Sequence, residues 1–389
     1  MEINSLVTPK NFLFTVGLLI KLYCALVIIY LYIFHYGMGD MISYQVQSHK
    51  ILPEFYANPI TFLLKSDLGF SDSIYFGQPR AIFFLKCIVV SSLITGGDIY
   101  LTTFLFSIFS FIGSYRVFAA IYDYYPKVTY EAALAFLLLP TYILWTSGML
   151  KESLANGAIC LMVAEVLHLV HKKESRIFSL LILTISGWLL IKLKYYYFGA
   201  LLPVLFVYFF YKRWGQYLSN KKISIRISVF LGLLLIGSLA GMVFHEYLNP
   251  LLWFDIISES NQSYLATKSA GNLWQIITQI PLAIYNSWLA PQLWQAKNFV
   301  QFLSAAESTF FGLILVLSIY KNPNPFKWSL EAWVIVAYSL ILGIMLGLSI
   351  TNFGSLERYR TSFYPFLFML VASGLPQVKS LIKAIFEKI

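Results

Sequence analysis

The strongest constraint on this chain is a series of long apolar runs that are separated by short charged connections. A helix needs about 20 predominantly apolar residues to cross the hydrocarbon core of a bilayer, and many of these runs approach that length. Hydrophobic residues make up 59% of the 389 residues and charged residues only 12%, whereas a soluble domain carries about 25% charged residues. The pattern predicts an all-α fold, a polytopic transmembrane helical bundle.

We predict about ten membrane spans in a single transmembrane domain that covers residues 1–375. The spans are residues 12–36, 98–121, 128–146, 153–170, 176–191, 196–211, 226–244, 301–320, 331–350 and 358–375. Two long connections, 37–97 and 245–300, are expected to be outer loops, the first of them with interfacial helices. Residues 376–389 are expected to form a short cytoplasmic tail.

The apolar run 81–95 decides the topology, because it is short for a crossing and is interrupted by Lys86. Runs of this length are often interfacial or re-entrant. If the run does not cross, the basic clusters Lys172-Lys173, Lys212-Arg213 and Lys221-Lys222 all lie on the side of the two termini. The positive-inside rule then places that side in the cytoplasm. If the run does cross, those clusters move outside, against the positive-inside rule. We therefore expect that it does not cross. The chain is then a multi-pass protein of the plasma (inner) membrane with both termini cytoplasmic.

Residues 272–290 are aromatic and amphipathic, and polar side chains interrupt them. We interpret this stretch as an interfacial helix on the outer leaflet. A buried re-entrant helix is the alternative.

A carboxylate stands where the first span ends, in the segment Gly37-Met38-Gly39-Asp40. An ionisable group at the end of a hydrophobic span is costly to place, and it is a functional-site candidate for that reason. The alternative is that Asp40 only begins a polar loop.

Further polar and aromatic groups lie at the outer ends of other spans under this topology. They are Trp145, Lys151, Glu152, Lys194, Arg358, Tyr359 and Arg360, with Tyr44 following Asp40. Arginine and lysine bind phosphate oxygens, and a carboxylate can accept the proton of an attacking hydroxyl. The set therefore predicts a site for a lipid phosphate. The alternatives are an interfacial Lys151–Glu152 ion pair and a Lys194 that only snorkels to the interface.

The order of these motifs resembles the polytopic GT-C glycosyltransferases, which include protein O-mannosyltransferases and the aminoarabinose transferases of lipid A. Gly39-Asp40 with Tyr44 is similar to the acidic motif that begins the first outer loop of that family. The stretch 140–153 is similar to the turn after its third span, and Glu357-Arg358-Tyr359-Arg360 with Pro365 is similar to the start of a late span. Residues 281–294, with Glu307, also resemble a pattern in bacterial members. The resemblance covers residues 40–375.

The resemblance implies an inverting glycosyltransferase that takes a sugar from a polyprenyl-phosphate carrier on the extracytoplasmic face. It implies Asp40 as the general base and Arg358, Arg360, Lys151 and Lys194 as ligands of the donor phosphate. Tyr44, Trp145, Glu152 and Tyr359 would contact the substrate. The acceptor would be a glycan, a lipid or a protein, and no nucleic acid is expected.

No cofactor follows from the sequence, and a dependence on a divalent metal stays open. Cysteine and histidine spacings typical of a metal site are absent, and one pair, His245-Glu246, is a weak pointer. No metal ligands are therefore assigned.

Two other functions remain as alternatives. A polysaccharide polymerase or ligase would use polyprenyl-diphosphate units at the same cationic face. A lipid or solute transporter would be expected to show internal repeats and polar groups near the middle of the membrane, and neither is evident in the sequence.

Overall fold

A computed structural model describes residues 9–171, 176–214, 273–322, 328–350, 352–378 and 380. The predicted span 226–244, the basic clusters 172–173 and 221–222, His245-Glu246 and the tail from residue 381 onwards lie outside the described residues. The predicted all-α class is confirmed, because this part of the chain consists of helices and contains no β-strand.

Fourteen α-helices follow one another in the described ranges. They are α1 (Pro9–Tyr30), α2 (Asp40–Ala57), α3 (Pro59–Leu64), α4 (Pro79–Thr95), α5 (Ile99–Tyr124), α6 (Thr129–Ala133), α7 (Pro140–Trp145), α8 (Lys151–His171), α9 (Arg176–Trp214), α10 (Leu273–Leu289), α11 (Phe299–Lys321), α12 (Leu330–Ser349), α13 (Phe353–Arg360) and α14 (Tyr364–Ser373). Single π-helical turns, Leu31–Tyr36 and Leu134–Leu138, follow α1 and α6. Short 3₁₀ turns lie at Asp67–Gly69, Pro126–Val128 and Leu293–Gln295.

Six helices of the described chain are long and apolar enough to cross a membrane by length and composition. They are Lys10–Tyr36, Ile99–Tyr124, Lys151–His171, Arg176–Arg213, Phe299–Lys321 and Leu330–Ser349. A multi-pass membrane protein is therefore supported, while the number of ten spans stays a prediction.

The predicted span 128–146 is not one continuous helix. It consists of α6, the π-helical turn and α7, with extended backbone at Leu139 before Pro140. Proline lacks an amide hydrogen and disfavours helical backbone at the preceding residue, so a break at this position is expected. The break at Leu139 leaves only a short helix, α7, before residue 146. Residues 145–150 turn inside the bundle, where all six are buried.

The predicted spans 176–191 and 196–211 form α9, whose backbone is non-helical at Lys194 (φ −150°, ψ 73°). Lys194 contacts Glu152 at the start of α8. Tyr208, further along α9, contacts Tyr125 beyond the end of α5. Tyr124, the neighbour of Tyr125, bonds to His168 near the end of α8. The Lys194 and Tyr208 contacts therefore lie at opposite ends of α8. The chain therefore reverses at Lys194, where the sequence predicts a turn.

Ionic and aromatic contacts mark two ends of the bundle. At one end, the Lys10 end, Lys10 pairs with Asp123, and Lys212 pairs with Glu331. At the other, the Asp40 end, lie the turn before α2, the start of α8, the reversal in α9 and helix α13. The groups that the sequence assigns to the outer face therefore share one end.

Helices α2 to α4 form a layer over the Asp40 end and share an apolar core with the bundle. This core contains Met41, Phe62 and Phe84 from the layer and Leu150 and Leu193 from the bundle. Lys86, which interrupts the apolar run, donates hydrogen bonds to the carbonyls of Leu63 and Lys65 at 2.9 and 2.6 Å. The ammonium group of Lys86 thereby provides hydrogen-bond donors to carbonyls at the end of α3 that have no helical partner.

Helix α10 lies along α12. A β-carbon on Gly347 would meet the carbonyl oxygen of Ala283, and the Trp288 indole donates to the Ser339 carbonyl at 3.3 Å. Because Ala283 lies beside Gly347 and Trp288 beside Ser339, α10 runs antiparallel to α12. Helix α12 is long enough to cross a membrane. The interfacial and the re-entrant interpretations of residues 272–290 both stay predictions.

Helices α5 and α8 also approach each other closely. A β-carbon on Gly113 would lie 2.4 Å from the carbonyl oxygen of Gly157. Small residues at such a crossing let two backbones touch, which is a common basis of helix association in membranes.

We expect Gly113→Ala to lower the melting temperature of the detergent-purified protein, because the backbones must separate. Overpacking of this kind costs about 1–3 kcal/mol. Gly199→Ala is the matched control, since Gly199 also lies in a helix and nothing is within 4 Å of its β-carbon position. Equal melting temperatures for the two variants would contradict the close contact.

Candidate active site

Asp40 is the first residue of α2, and two glycines bring it to its position. Gly37 and Gly39 have φ values of 64° and 119°, in the left-handed region that glycine tolerates. A β-carbon on Gly39 would lie 2.9 Å from the ring of Tyr32. The carboxylate also sits at a helix N-terminus, where the helix dipole favours negative charge.

Asp40 forms an ion pair with Arg358 of α13. Arg358 Nη1 donates to Asp40 Oδ2 at 2.7 Å and to the Tyr32 hydroxyl at 3.3 Å. The Asp40 side chain is 56% exposed, whereas that of Arg358 is 12% exposed. In the part of the chain that the structure covers, Arg358 Nη2 and Nε make no hydrogen bond, so the guanidinium retains donors for a further anion.

Arg358 keeps its positive charge, because a guanidinium is not deprotonated in proteins.

A second ion pair, Glu152–Lys194, lies deeper. Lys194 Nζ donates to Glu152 Oε1 at 2.8 Å, and the two side chains are 3% and 4% exposed. The same amine donates to the Tyr197 hydroxyl at 3.2 Å and lies 3.4 Å from the ring centroid of Tyr359. The Tyr197 hydroxyl donates in turn to the Tyr359 carbonyl at 3.0 Å. Lys194 is therefore fully engaged within the protein.

Two cations beside these ion pairs, Lys151 and Arg80, have no carboxylate partner among the described residues. Lys151 lies 5.2 Å from the centroid of the Tyr44 ring, and Arg80, at the start of α4, lies 5.4 Å from that of Tyr195. Lys151 is within electrostatic range of Asp40, Arg80 and Arg358. With the two ion pairs neutral, the site carries an excess of two positive charges, which suits an anionic ligand.

Aromatic rings form one wall of the site. Tyr44 is buried and stacks on Tyr75, which is partly exposed, with ring centroids 4.5 Å apart. Lys151 lies over the same Tyr44 ring. The wall therefore combines an apolar surface with a cation.

Arg360 and Trp145 belong to a separate, buried cluster behind α13. Arg360 is 1% exposed and donates to the Ala290 carbonyl at 2.7 Å and to the hydroxyls of Ser308 and Ser304 at 2.8 and 3.0 Å. Trp145 is 4% exposed. Neither side chain reaches the Asp40–Arg358 pair, so the phosphate role of Arg360 and the substrate contact of Trp145 stay predictions.

The structure brings most of the predicted site residues together. Those around one site are Asp40, Tyr44, Lys151, Glu152, Lys194, Arg358 and Tyr359. Sequence reasoning missed Arg80, Tyr32 and Tyr75. The signal for Arg80 was its position beside Pro79 at a helix start, at the outer end of the run 81–95.

No group of three or more His, Cys, Asp or Glu side chains with the geometry of a metal site occurs within the described ranges. Cys24 and Cys87 are partly buried free thiols, and Cys160 is a buried one.

We expect Lys194→Met to destabilise the protein by about 3–5 kcal/mol, because it leaves the buried Glu152 carboxylate without a partner. The double variant Glu152→Gln/Lys194→Met should recover most of that loss. Unfolding in detergent measures both. The control is Lys65→Met, which breaks the more exposed Lys65–Glu54 pair and should cost about 0–1 kcal/mol. Equal losses for Lys194→Met and Lys65→Met would contradict a structural role for the buried pair.

Comparison of the chain with protein-family models, with curated proteins and with solved structures finds no match.

Proposed function

We propose that the chain is a multi-pass membrane glycosyltransferase that transfers a sugar from a polyprenyl-phosphate donor to an acceptor at the Asp40 end. The observation that carries this proposal is a partly exposed carboxylate paired with Arg358 beside two unpartnered cations, Lys151 and Arg80. A general base and an anion site then lie side by side. Transfer of a sugar from a lipid phosphate requires both.

In the proposed reaction, the donor phosphate binds Arg358 through its unused Nη2 and Nε and is also contacted by Lys151. Binding of the phosphate draws Arg358 away from Asp40, so that the carboxylate can accept a hydrogen bond from the acceptor hydroxyl. The acceptor oxygen attacks the anomeric carbon as its proton passes to Asp40. The bond from that carbon to the phosphate oxygen breaks, the phosphate leaves with the electron pair, and the configuration inverts.

The remaining predicted residues have supporting roles in this proposal. Glu152 and Lys194 hold the site in shape through their buried ion pair. Tyr44 and Tyr75 supply a stacking surface for the sugar. Arg360 fixes α13 to Ala290, Ser304 and Ser308 and thereby positions Arg358.

The proposed topology has about ten spans in a GT-C-like bundle, with both termini cytoplasmic and the Asp40 end outside. The clustering of the assigned outer groups at one end and the reversal at Lys194 support it. The layer of α2 to α4 over this end suits an outer loop whose helices lie at the membrane surface.

The second candidate is a polymerase or ligase that uses a polyprenyl-diphosphate carrier. Arg80 favours it, because a third cation beside Arg358 and Lys151 matches the larger charge of a diphosphate.

We expect Asp40→Asn to reduce sugar transfer by about 10²–10⁴-fold, the usual contribution of a general base. The melting temperature should fall much less than for Lys194→Met, because Asp40 is largely exposed. Asp72→Asn, an exposed acidic residue in the same outer segment, is the control and should retain activity. Near-normal transfer by Asp40→Asn would overturn the assignment of the base.

Undecaprenyl phosphate and undecaprenyl diphosphate serve as probes of the donor site without a sugar. We expect one of them to raise the melting temperature of the wild type, and Arg358→Met and Lys151→Met to reduce that shift. Arg80→Met should reduce the shift more for the diphosphate than for the monophosphate if the second candidate is correct. The absence of a shift with either lipid would exclude both carriers.

The orientation can be tested with single cysteines in a background that lacks Cys24, Cys87 and Cys160. Ser71 and Lys127 are exposed and lie at the Asp40 end and the Lys10 end respectively. An impermeant thiol reagent should label Ser71→Cys in intact cells, and Lys127→Cys only after permeabilisation. The reverse pattern would place the Asp40 end in the cytoplasm.

A further inference from the structure

Helix α13 separates the site from a buried polar cluster that the proposed reaction does not use. The cluster contains Glu357 and Arg360 on the inner side of α13, each 1% exposed. Glu307 of α11 faces it and accepts hydrogen bonds from the hydroxyl and the amide of Thr141, the latter at 3.0 Å. Arg358, between the two inner residues, points the opposite way to Asp40.

The charges in this cluster do not balance. Among the described residues it holds two carboxyl groups and one guanidinium, whose hydrogen bonds all go to neutral oxygens of Ala290, Ser304 and Ser308. Within the described ranges, neither Glu307 nor Glu357 has a cationic nitrogen within 4 Å, and Glu357 Oε1 has no hydrogen-bond partner. A buried carboxylate in this situation is more stable when it binds a proton than when it stays charged.

Among the described residues, the other helices packed around α13 offer no compensating charge at this position. Helix α7 presents the neutral Trp145 indole to Glu357. Helices α10 and α12 carry no charged side chain near this end, since Glu331 lies at the Lys10 end. Tyr36, after α1, is the other titratable group close to Glu357. Arg360 and Glu307 are therefore the charges that govern this carboxyl.

We propose that Glu357 is a proton-binding site, a carboxyl group that takes up and releases a proton near neutral pH because Glu307 and Glu357 share a single guanidinium. Burial raises the pKa of Glu357 to about 7, against the opposing effects of the positive charge of Arg360 and of hydrogen bonds from the Ser304 and Trp145 side chains. The site thus titrates in the physiological range. The inference stands independently of glycosyl transfer, since it rests on the charge balance of the cluster alone.

Loss of this proton has a direct structural consequence. It adds a second negative charge to a buried cluster that has one cation, on the helix turn that also carries Arg358. The cluster then becomes less stable, and the strain acts on the segment that positions the site.

Infrared difference spectroscopy of the purified wild-type protein tests the proposal directly. We expect the carbonyl band of a protonated carboxyl group at pH 6 that disappears by pH 8. Glu357→Gln should lack this band, and Asp40→Asn, which changes the exposed carboxylate, should retain it. A wild type without the band, or a band that persists in Glu357→Gln, would overturn the proposal.

Glu307→Gln keeps the proposal testable if Glu357→Gln does not fold. Removal of the neighbouring negative charge should move the titration of the band to lower pH, because the charged form of Glu357 then faces less repulsion. An unchanged titration would show that the two carboxyl groups are not coupled and would contradict the shared guanidinium.

Thermal stability gives a second readout. A carboxyl whose folded pKa lies above its ordinary value of 4.5 binds more protons folded than unfolded between those two values. Its contribution to stability is therefore full at low pH and is lost as the pH rises towards 7. The melting temperature of Glu357→Gln should fall less between pH 5 and pH 8 than that of the wild type or of Glu54→Gln, an exposed control. Parallel curves for all three would contradict proton binding at Glu357.

Discussion

The Glu152–Lys194 ion pair is the interaction on which the Asp40 end of the molecule depends. It joins the start of α8 to the point where α9 reverses, and Tyr197 and the ring of Tyr359 extend the contact to α13. Two charges buried this deeply are tolerated only because each satisfies the other and because further groups complete their hydrogen bonds. The pair therefore fixes three segments that are far apart in sequence, and α13 carries Arg358 into the site.

The sequence predicts those elements whose signal is local. The length of the apolar runs alone identifies the long helices. The lysines and tyrosines at residues 192–197 interrupt an apolar run and mark the reversal in α9. Asp40 and Arg358, which lie 318 positions apart, were both singled out because charge at the end of a span is costly. The fold class and the core of the site therefore follow from composition and position.

Other features depend on the direction in which a side chain points, and the sequence does not encode that locally. Arg358 and Arg360 are alike in type and neighbourhood, yet a separation of two helical residues sends them to opposite sides of α13. Arg358 meets Asp40, and Arg360 is enclosed by oxygens of α11 and Ala290. Lys194, which the sequence predicts as a ligand of the donor phosphate, pairs with Glu152. Arg80 enters the site through the packing of α4, and its position at the start of that helix was the signal for it.

Asp40 is largely exposed to water, whereas Arg358 is largely buried. The charge of the site therefore acts over different distances in water and in the protein interior. On the aqueous side, ions screen charges beyond about 8 Å at physiological ionic strength. The half of the site that is buried experiences a low dielectric, where the same excess charge acts over a longer range. Lys151 and Arg80 would therefore attract an anion that approaches through a low-dielectric medium from further away than one dissolved in water. Under the proposed function, a lipid-borne donor would gain a kinetic advantage that a soluble anion of equal charge does not share.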